Sequence, residues 1–90
     1  MPILKIPTPL RSYVDGQGEV VATGATAGEA MQSLVAQFPA LKPHLYNSEG
    51  RLRPFVNLFL GEDDIKDLQG LDTPLGEDDK LILIPSIAGG

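Results

Sequence analysis

The sequence closes on Lys80-Leu81-Ile82-Leu83-Ile84-Pro85-Ser86-Ile87-Ala88-Gly89-Gly90, and the rest of the chain is interpreted from this stretch. Residues 80–84 form an apolar run with strong strand character. The two final glycines lack Cβ, so their backbone can enter a slot too narrow for a side chain. If residues 86–90 extend, they reach roughly 16 Å at about 3.3 Å per residue. We therefore expect a folded domain, residues 1–85, that presents a flexible Gly-Gly tail, residues 86–90, to the active site of another molecule.

The size and composition of the chain are typical of one small globular domain. Ninety residues with 42% apolar content can build a modest core. The absence of cysteine means that the chain cannot carry an acyl group on its own sulfur. The formal charge of −5 argues against nucleic acid and anionic lipid as partners and favours a partner with a basic surface. Without a basic leader or a long apolar segment, we expect a cytoplasmic protein with no membrane partner.

Hydrophobic periodicity predicts a mixed sheet and one long helix. Strands are predicted over residues 3–7, 19–23, 54–60 and 80–84, with a short fourth strand near Ile65 and antiparallel pairing of the first two. The helix signal starts at the capping-box pattern Thr26-Ala27-Gly28-Glu29 and stops at Pro39. Its apolar stripe consists of Ala30, Met31, Leu34, Val35 and Phe38. This order of elements predicts an α+β fold in which the helix covers one face of a sheet of four to five strands.

Alternation along the strands separates a core face from an open face. The side chains predicted to point inward are Leu4, Ile6, Val20, Ala22, Val56, Leu58, Leu60, Leu81 and Leu83. Asn57 would be costly to bury, so it marks the outer side of its strand and leaves Phe59 exposed. We expect Phe59, Ile82 and Ile84 to cluster on the open face beside the tail, with Ile3 or Pro7 at the margin. Such a cluster is typical of a docking site, although scattered surface hydrophobes are also normal.

Residues that could support catalysis or metal binding are sparse. His44 is the only histidine and has no Cys or Asp near it in sequence, so we interpret it as a surface residue. The acidic segments of residues 61–64 and 76–79 lack the ligand spacing of a calcium loop and are interpreted as solvated turns. Neither a phosphate-binding loop nor a nucleophile elbow is present. We therefore expect no enzyme activity, no bound cofactor and no metal.

The group that remains for chemistry is the C-terminal carboxylate of Gly90. A carboxylate is a poor electrophile and needs a good leaving group before it can react. A partner enzyme could supply that leaving group by using ATP to make an acyl-adenylate. The chain would then be a substrate of the partner enzyme.

These residues resemble the ubiquitin-like sulfur carrier proteins, which include the small subunit of molybdopterin synthase and the thiamine-pathway sulfur carrier. The resemblance covers the whole chain as a β-grasp pattern. Its most specific part is the ending of residues 76–90, which is similar to the family's G-D-x-φ-x-φ-x-P-x-x-x-G-G, where φ is apolar. Asp79 and Lys80 stand in that element with one acid more than usual. The segments Phe55-Val56-Asn57, Glu62-Asp63-Asp64 and Ile87-Ala88-Gly89-Gly90 resemble the carriers that feed sulfur into cysteine biosynthesis.

The resemblance implies a route for the tail. Gly90 would be adenylated with ATP by an enzyme related to the ubiquitin activators, then converted to a thiocarboxylate by a sulfur donor of the rhodanese or cysteine desulfurase type. A downstream synthase would accept the sulfur for cysteine, molybdopterin or thiamine. Gly89 and Gly90 would thread the activating enzyme. Its other contacts would be Phe59, Ile82, Ile84, Pro85, Ile87 and Ala88.

Two alternatives to a free sulfur carrier remain open. In the first, Gly90 is joined to lysines of other proteins, as ubiquitin is. In the second, the chain is a small subunit whose tail stays inside a larger catalytic partner, as in molybdopterin synthase. The sequence separates these alternatives poorly.

Overall fold

The computed structural model describes residues 1–54 and 56–85, without the side chain of Pro85. Phe55 and residues 86–90 lie outside the described residues. The strands and helices are β1 Ile3–Lys5, β2 Glu19–Val21, α1 Ala27–Gln37, α2 Lys42–Leu45, β3 Val56–Leu60, β4 Asp63–Asp64 and β5 Lys80–Pro85. Short 3₁₀ helices occupy Thr8–Val14, Pro39–Leu41, Ile65–Asp67 and Gly70–Asp72.

The strands form one mixed sheet in the order β2-β1-β5-β3-β4. β1 and β2 pair antiparallel, as predicted, while β1 and β5 pair parallel. β3 pairs antiparallel with both β5 and β4. The last described strand, β5, is therefore the central strand of the sheet, and its residues 81 and 82 pair with both β1 and β3. Residues 83–85, at the end of β5, pair with β3 alone, so β3 holds the residue that precedes the tail.

The core lies between the sheet and α1, as the alternation predicts. Leu4, Leu81 and Leu83 expose 2% or less of their surface, and Met31 and Leu34 of α1 expose none. The other predicted inward residues are also buried, except for Leu60, which is half-buried like Val35 and Phe38. Full burial of a leucine or methionine side chain is worth roughly 1.5–3 kcal/mol, so this layer is the main source of stability.

The N-terminus of α1 is capped largely as predicted and is tied to the segment that leads into β5. The Glu29 amide donates to the Thr26 hydroxyl at 3.2 Å. The Glu29 carboxylate accepts from the amide of Ala25 at 2.8 Å, one residue before the cap. The Ala27 amide donates to the Thr73 carbonyl and the Leu75 amide to the Ala25 carbonyl, at 2.9 and 2.8 Å. These bonds connect the helix directly to the approach of the central strand.

The short fourth strand predicted near Ile65 is present, and it ends one residue before Ile65. β4 consists of Asp63–Asp64, which were interpreted as part of a turn, and Ile65 begins a 3₁₀ helix. The Asp64 carboxylate accepts from the Lys66 amide at 2.9 Å and caps that helix. The cap turns Ile65 into the core, where it is 4% exposed. β1 and β2 also end two residues earlier than predicted, and β3 is described from Val56.

Candidate functional site

A closed turn fixes where β5 starts. The Gly76 amide donates to the Asp79 carboxylate at 2.7 Å, and the Asp79 amide donates back to the Gly76 carbonyl at 3.3 Å. The Ile3 amide then donates to the Asp79 carbonyl at 3.0 Å, which connects the turn to β1. Asp79 therefore sets the position of the central strand. The acidic composition of residues 76–79 predicts a solvated turn and does not indicate this role of Asp79.

The end of β5 lies beside the start of β3. Pro85 is the register partner of Val56, and Ile84 is the partner of Asn57. The predicted site residues Ile87, Ala88, Gly89 and Gly90 lie outside the described residues. The structure therefore shows where Pro85, the residue before the tail, lies. The role of residues 86–90 stays a prediction from the sequence.

The predicted docking face is Phe59, Ile82 and Ile84, and these three residues lie on the open side of the sheet. Phe59 and Ile82 are direct register partners on neighbouring strands. Ile84 is 43% exposed, whereas Phe59 and Ile82 are half-buried. The expectation that Phe59 is exposed is therefore wrong in degree. Phe59 lies between its register partners Ile82 on β5 and Asp64 on β4, and side chains directly opposite each other on neighbouring strands are close enough to shield one another.

Polar side chains border the docking face. Lys5 of β1 is the register partner of Ile82, on the side opposite Phe59. The Lys66 amine donates to the Asn57 side-chain oxygen at 3.3 Å, next to the position of Ile84. Strand alternation predicts that Lys5 lies on the open face. The position of Lys66 was not predicted, because it belongs to a 3₁₀ helix that the sequence pattern does not indicate. An apolar centre with a polar rim is the usual anatomy of a protein interface.

The described residues show little that could support chemistry by themselves. Within residues 1–54 and 56–85, no group of three or more His, Cys, Asp or Glu side chains could hold a metal ion. His44 is exposed, as predicted, and its ring lies 4.3 Å from the ring of Tyr13 at a tilt of 36°. The helices of the described part are also too short or too polar to cross a membrane.

Comparison with known proteins gives consistent matches over nearly the whole chain. The model of the ThiS family matches residues 4–90. The sulfur carrier protein CysO of Mycobacterium tuberculosis is 34% identical over 89 residues, which are 97% of this chain and 96% of that protein. The small archaeal modifier protein 3 of Haloferax volcanii is 32% identical over 66 residues, 73% of this chain and 71% of that protein.

A solved structure confirms the β-grasp fold. One chain in the crystal structure of the Amycolatopsis orientalis BexX/CysO complex superposes with a TM-score of 0.87 at 30% identity. The match covers 100% of both chains. The order of strands and the position of α1 are therefore those of a ubiquitin-like domain.

Proposed function

Because this chain belongs to the ThiS family of ubiquitin-like sulfur carriers, we propose that it carries sulfur as a thiocarboxylate on Gly90. The Gly90 carboxylate attacks the α-phosphate of ATP on a partner enzyme, and pyrophosphate leaves. A donor persulfide then displaces AMP and gives an acyl disulfide. A second thiol cleaves this disulfide, releases the thiocarboxylate and itself becomes part of a disulfide. Since the chain has no cysteine, every sulfur atom in this route comes from a partner.

The observation that supports this proposal is that the family match extends through Gly89 and Gly90. In the structure, β5 anchors the start of that ending at the centre of the sheet. A thioacid is ionised at neutral pH and is a soft nucleophile, so it can transfer its sulfur in a second active site. The docking face would hold the activating enzyme while the tail enters it. Because the partner would need ATP, we propose the cytoplasm as the compartment of the reaction.

The destination of the sulfur is proposed from similarity. The likeness to CysO favours cysteine biosynthesis. Molybdopterin and thiamine pathways use the same cargo and remain possible destinations by family resemblance. The donor would be a protein of the rhodanese or cysteine desulfurase type, and the acceptor a synthase that takes the tail into its active site.

Intact-mass analysis of the protein from its native cell tests the proposal. We expect a fraction that is heavier by the difference between one sulfur and one oxygen, with the extra mass confined to the last peptide. Deletion of Gly90, or addition of one residue after it, should abolish this fraction because the reacting carboxylate is removed or displaced. Persistence of the heavier fraction in both variants would refute activation at Gly90.

A second candidate function is conjugation to other proteins, which similarity to the small archaeal modifier protein favours. The acyl-adenylate of Gly90 would also be the intermediate in this function. A lysine amine of another protein would attack its carbonyl carbon and displace AMP, which forms an isopeptide bond. Because Lys80 is the last tryptic cleavage site, peptide mass spectrometry after trypsin digestion would detect a remnant of residues 81–90 on lysines of other proteins. If cells under several stresses contain the thiocarboxylate and no such remnant, conjugation is excluded.

A further inference from the structure

Acidic residues are concentrated at the end of the sheet where β5 starts. The turn of residues 61–64 follows β3, whose last residue Leu60 is the partner of Leu81. The turn of residues 76–79 leads directly into β5. The members of this acidic pole are Glu62, Asp63, Glu77, Asp78 and Asp79. The acidic pole therefore lies at the opposite end of β5 from the tail.

Basic residues are concentrated at the end where the tail begins. Residues 42–54 contain three bases, Lys42, Arg51 and Arg53, and a single acid, Glu49. The Arg53 carbonyl accepts from the amide of Val56 at 3.0 Å, and Val56 is the register partner of Pro85. We call Lys42, Arg51 and Arg53 the basic pole. Although the whole chain carries −5, the surface beside the tail carries a local excess of positive charge.

Two members of the basic pole, Lys42 and Arg53, line one open hollow on the surface. A shallow hollow of about 500 Å³ is lined by residues that include Lys42, Tyr46 and Arg53. The Arg53 Nε donates to the Pro43 carbonyl at 3.0 Å, which fixes the guanidinium and leaves the donors of its two NH₂ groups to point elsewhere. Burial raises the pKa of Tyr46, so its hydroxyl remains a neutral donor at physiological pH. A fixed guanidinium beside a lysine matches the geometry and charge of a carboxylate.

In the described part of the chain, the one ion pair lies away from this hollow. It joins Lys80 to Glu19 at 3.4 Å, at the start of β5. Elsewhere at the tail end, the three bases Lys5, Arg11 and Lys66 are matched in number by the three acids Asp15, Asp64 and Asp67. The excess charge beside the tail therefore comes from the basic pole.

We propose that the basic pole contacts an acidic rim around the entrance through which the activating enzyme receives residues 86–90. This inference rests on the proposed function. An enzyme that takes the tail must lie against the end of the sheet where β5 stops, so its rim meets Lys42, Arg51 and Arg53. The same rim repels the acidic pole, and the two effects together orient the protein tail first. The net charge of the whole chain favours a partner with a basic surface. Beside the tail, however, the positive charge of the basic pole favours an acidic surface on the partner.

Steady-state kinetics at several salt concentrations test this contact. The probe is the native-cell enzyme fraction that catalyses carrier-dependent exchange between ATP and pyrophosphate. In low salt, kcat/KM for Lys42→Glu/Arg53→Glu should fall about tenfold through a higher KM, because steering is lost. The deficit should shrink at high salt, where charges are screened. Lys42→Glu/Arg51→Glu keeps the Arg53 bond to Pro43 and should show a similar deficit even if the first variant folds poorly.

The matched control is Lys80→Glu, which reverses an exposed lysine at the opposite end of β5. It should stay within about twofold of the wild type. The proposal would be overturned if the variants of the basic pole lost no more kcat/KM than Lys80→Glu does. It would also be overturned if high salt did not reduce their loss of kcat/KM. Normal exchange with slower delivery of sulfur would place the acidic rim on the acceptor and also overturn it. If the wild type supports neither exchange nor the heavier mass, the proposed function itself has failed.

Discussion

At the scale of single residues, Gly24 has the most demanding position in the described chain. It follows β2 and precedes the cap of α1, with a φ of +143° that side chains rarely adopt. A Cβ at this position would lie 2.6 Å from the Cβ of Glu29 and 2.9 Å from the amide nitrogen of Ala30. Both atoms belong to the first turn of α1, which cannot shift without breaking its cap.

We therefore predict that Gly24→Ala lowers the free energy of unfolding by about 2–3 kcal/mol, from backbone strain and the clash together. Gly50→Ala is the matched control, because Gly50 also has a positive φ, +81°, but an added Cβ would meet nothing within 4 Å. The control should lose about 1 kcal/mol from strain alone. Urea denaturation of both variants gives the difference, and equal losses would show that the contact with α1 does not matter.

Single residues also show how far the sequence could predict the site. The pair Thr26 and Glu29 was predictable because a cap depends on residues close in sequence. The contact between Lys66 and Asn57 was not predictable, because the two residues are nine positions apart in sequence and belong to different elements. The role of Asp79 in closing its turn does have a signal in the sequence, because Gly76 stands three residues before this acid. The same residues also fit a turn whose acids only face water, so the signal does not decide between the two.

At the scale of elements, long periodic segments were predictable and short ones were not. α1 and the two faces of β5 follow from periodicity over five or more residues. β4 has two residues, too few to show any period, and its position depends on pairing with Phe59 and Leu60. The half-burial of Phe59 was not predictable either, since its register partner Asp64 was assigned to a turn and not to a paired strand.

The element-scale prediction concerns the docking face on β3 and β5. Ile84→Asp should weaken activation by the native-cell enzyme, because it replaces the most exposed apolar side chain of the docking face with a charge, while the fold stays intact. Phe59→Asp should have the same direction of effect, with some loss of stability because Phe59 is half-buried. Exchange between ATP and pyrophosphate measures activation, and circular dichroism measures the fold.

Val21→Asp is the control for the docking face. Val21 is 51% exposed on the same open side of the sheet, but it lies on the outer strand β2. A charge there should leave activation within about twofold of the wild type, since it lies outside the apolar cluster. If Ile84→Asp and Val21→Asp have equal rates, the docking face makes no contact with the activating enzyme.

At the scale of the whole molecule, the residues that stabilise the fold and the residues proposed to react follow one another along the chain. Those of β5 stabilise the sheet, and those after β5 are the proposed reacting tail. β5 is hydrogen-bonded to β1 and β3, and its Leu81 and Leu83 are almost fully buried. The last pair in the described part of β5 is Pro85 opposite Val56. The net charge of −5 was readable from composition, but the separation of charge into two poles was not, because it depends on which loops the strand register brings to each end.

This order along the chain predicts that a chain ending at Pro85 folds as well as the full chain. Removal of residues 86–90 should change the free energy of unfolding by less than about 0.5 kcal/mol, because the pairing of β5 and the buried core are retained. The same truncation should abolish both the exchange reaction and the heavier mass. Urea denaturation and intact-mass analysis of one sample measure the two properties together. A loss of several kcal/mol would mean that the tail packs against residues 1–85, and the boundary between domain and tail would then be wrong.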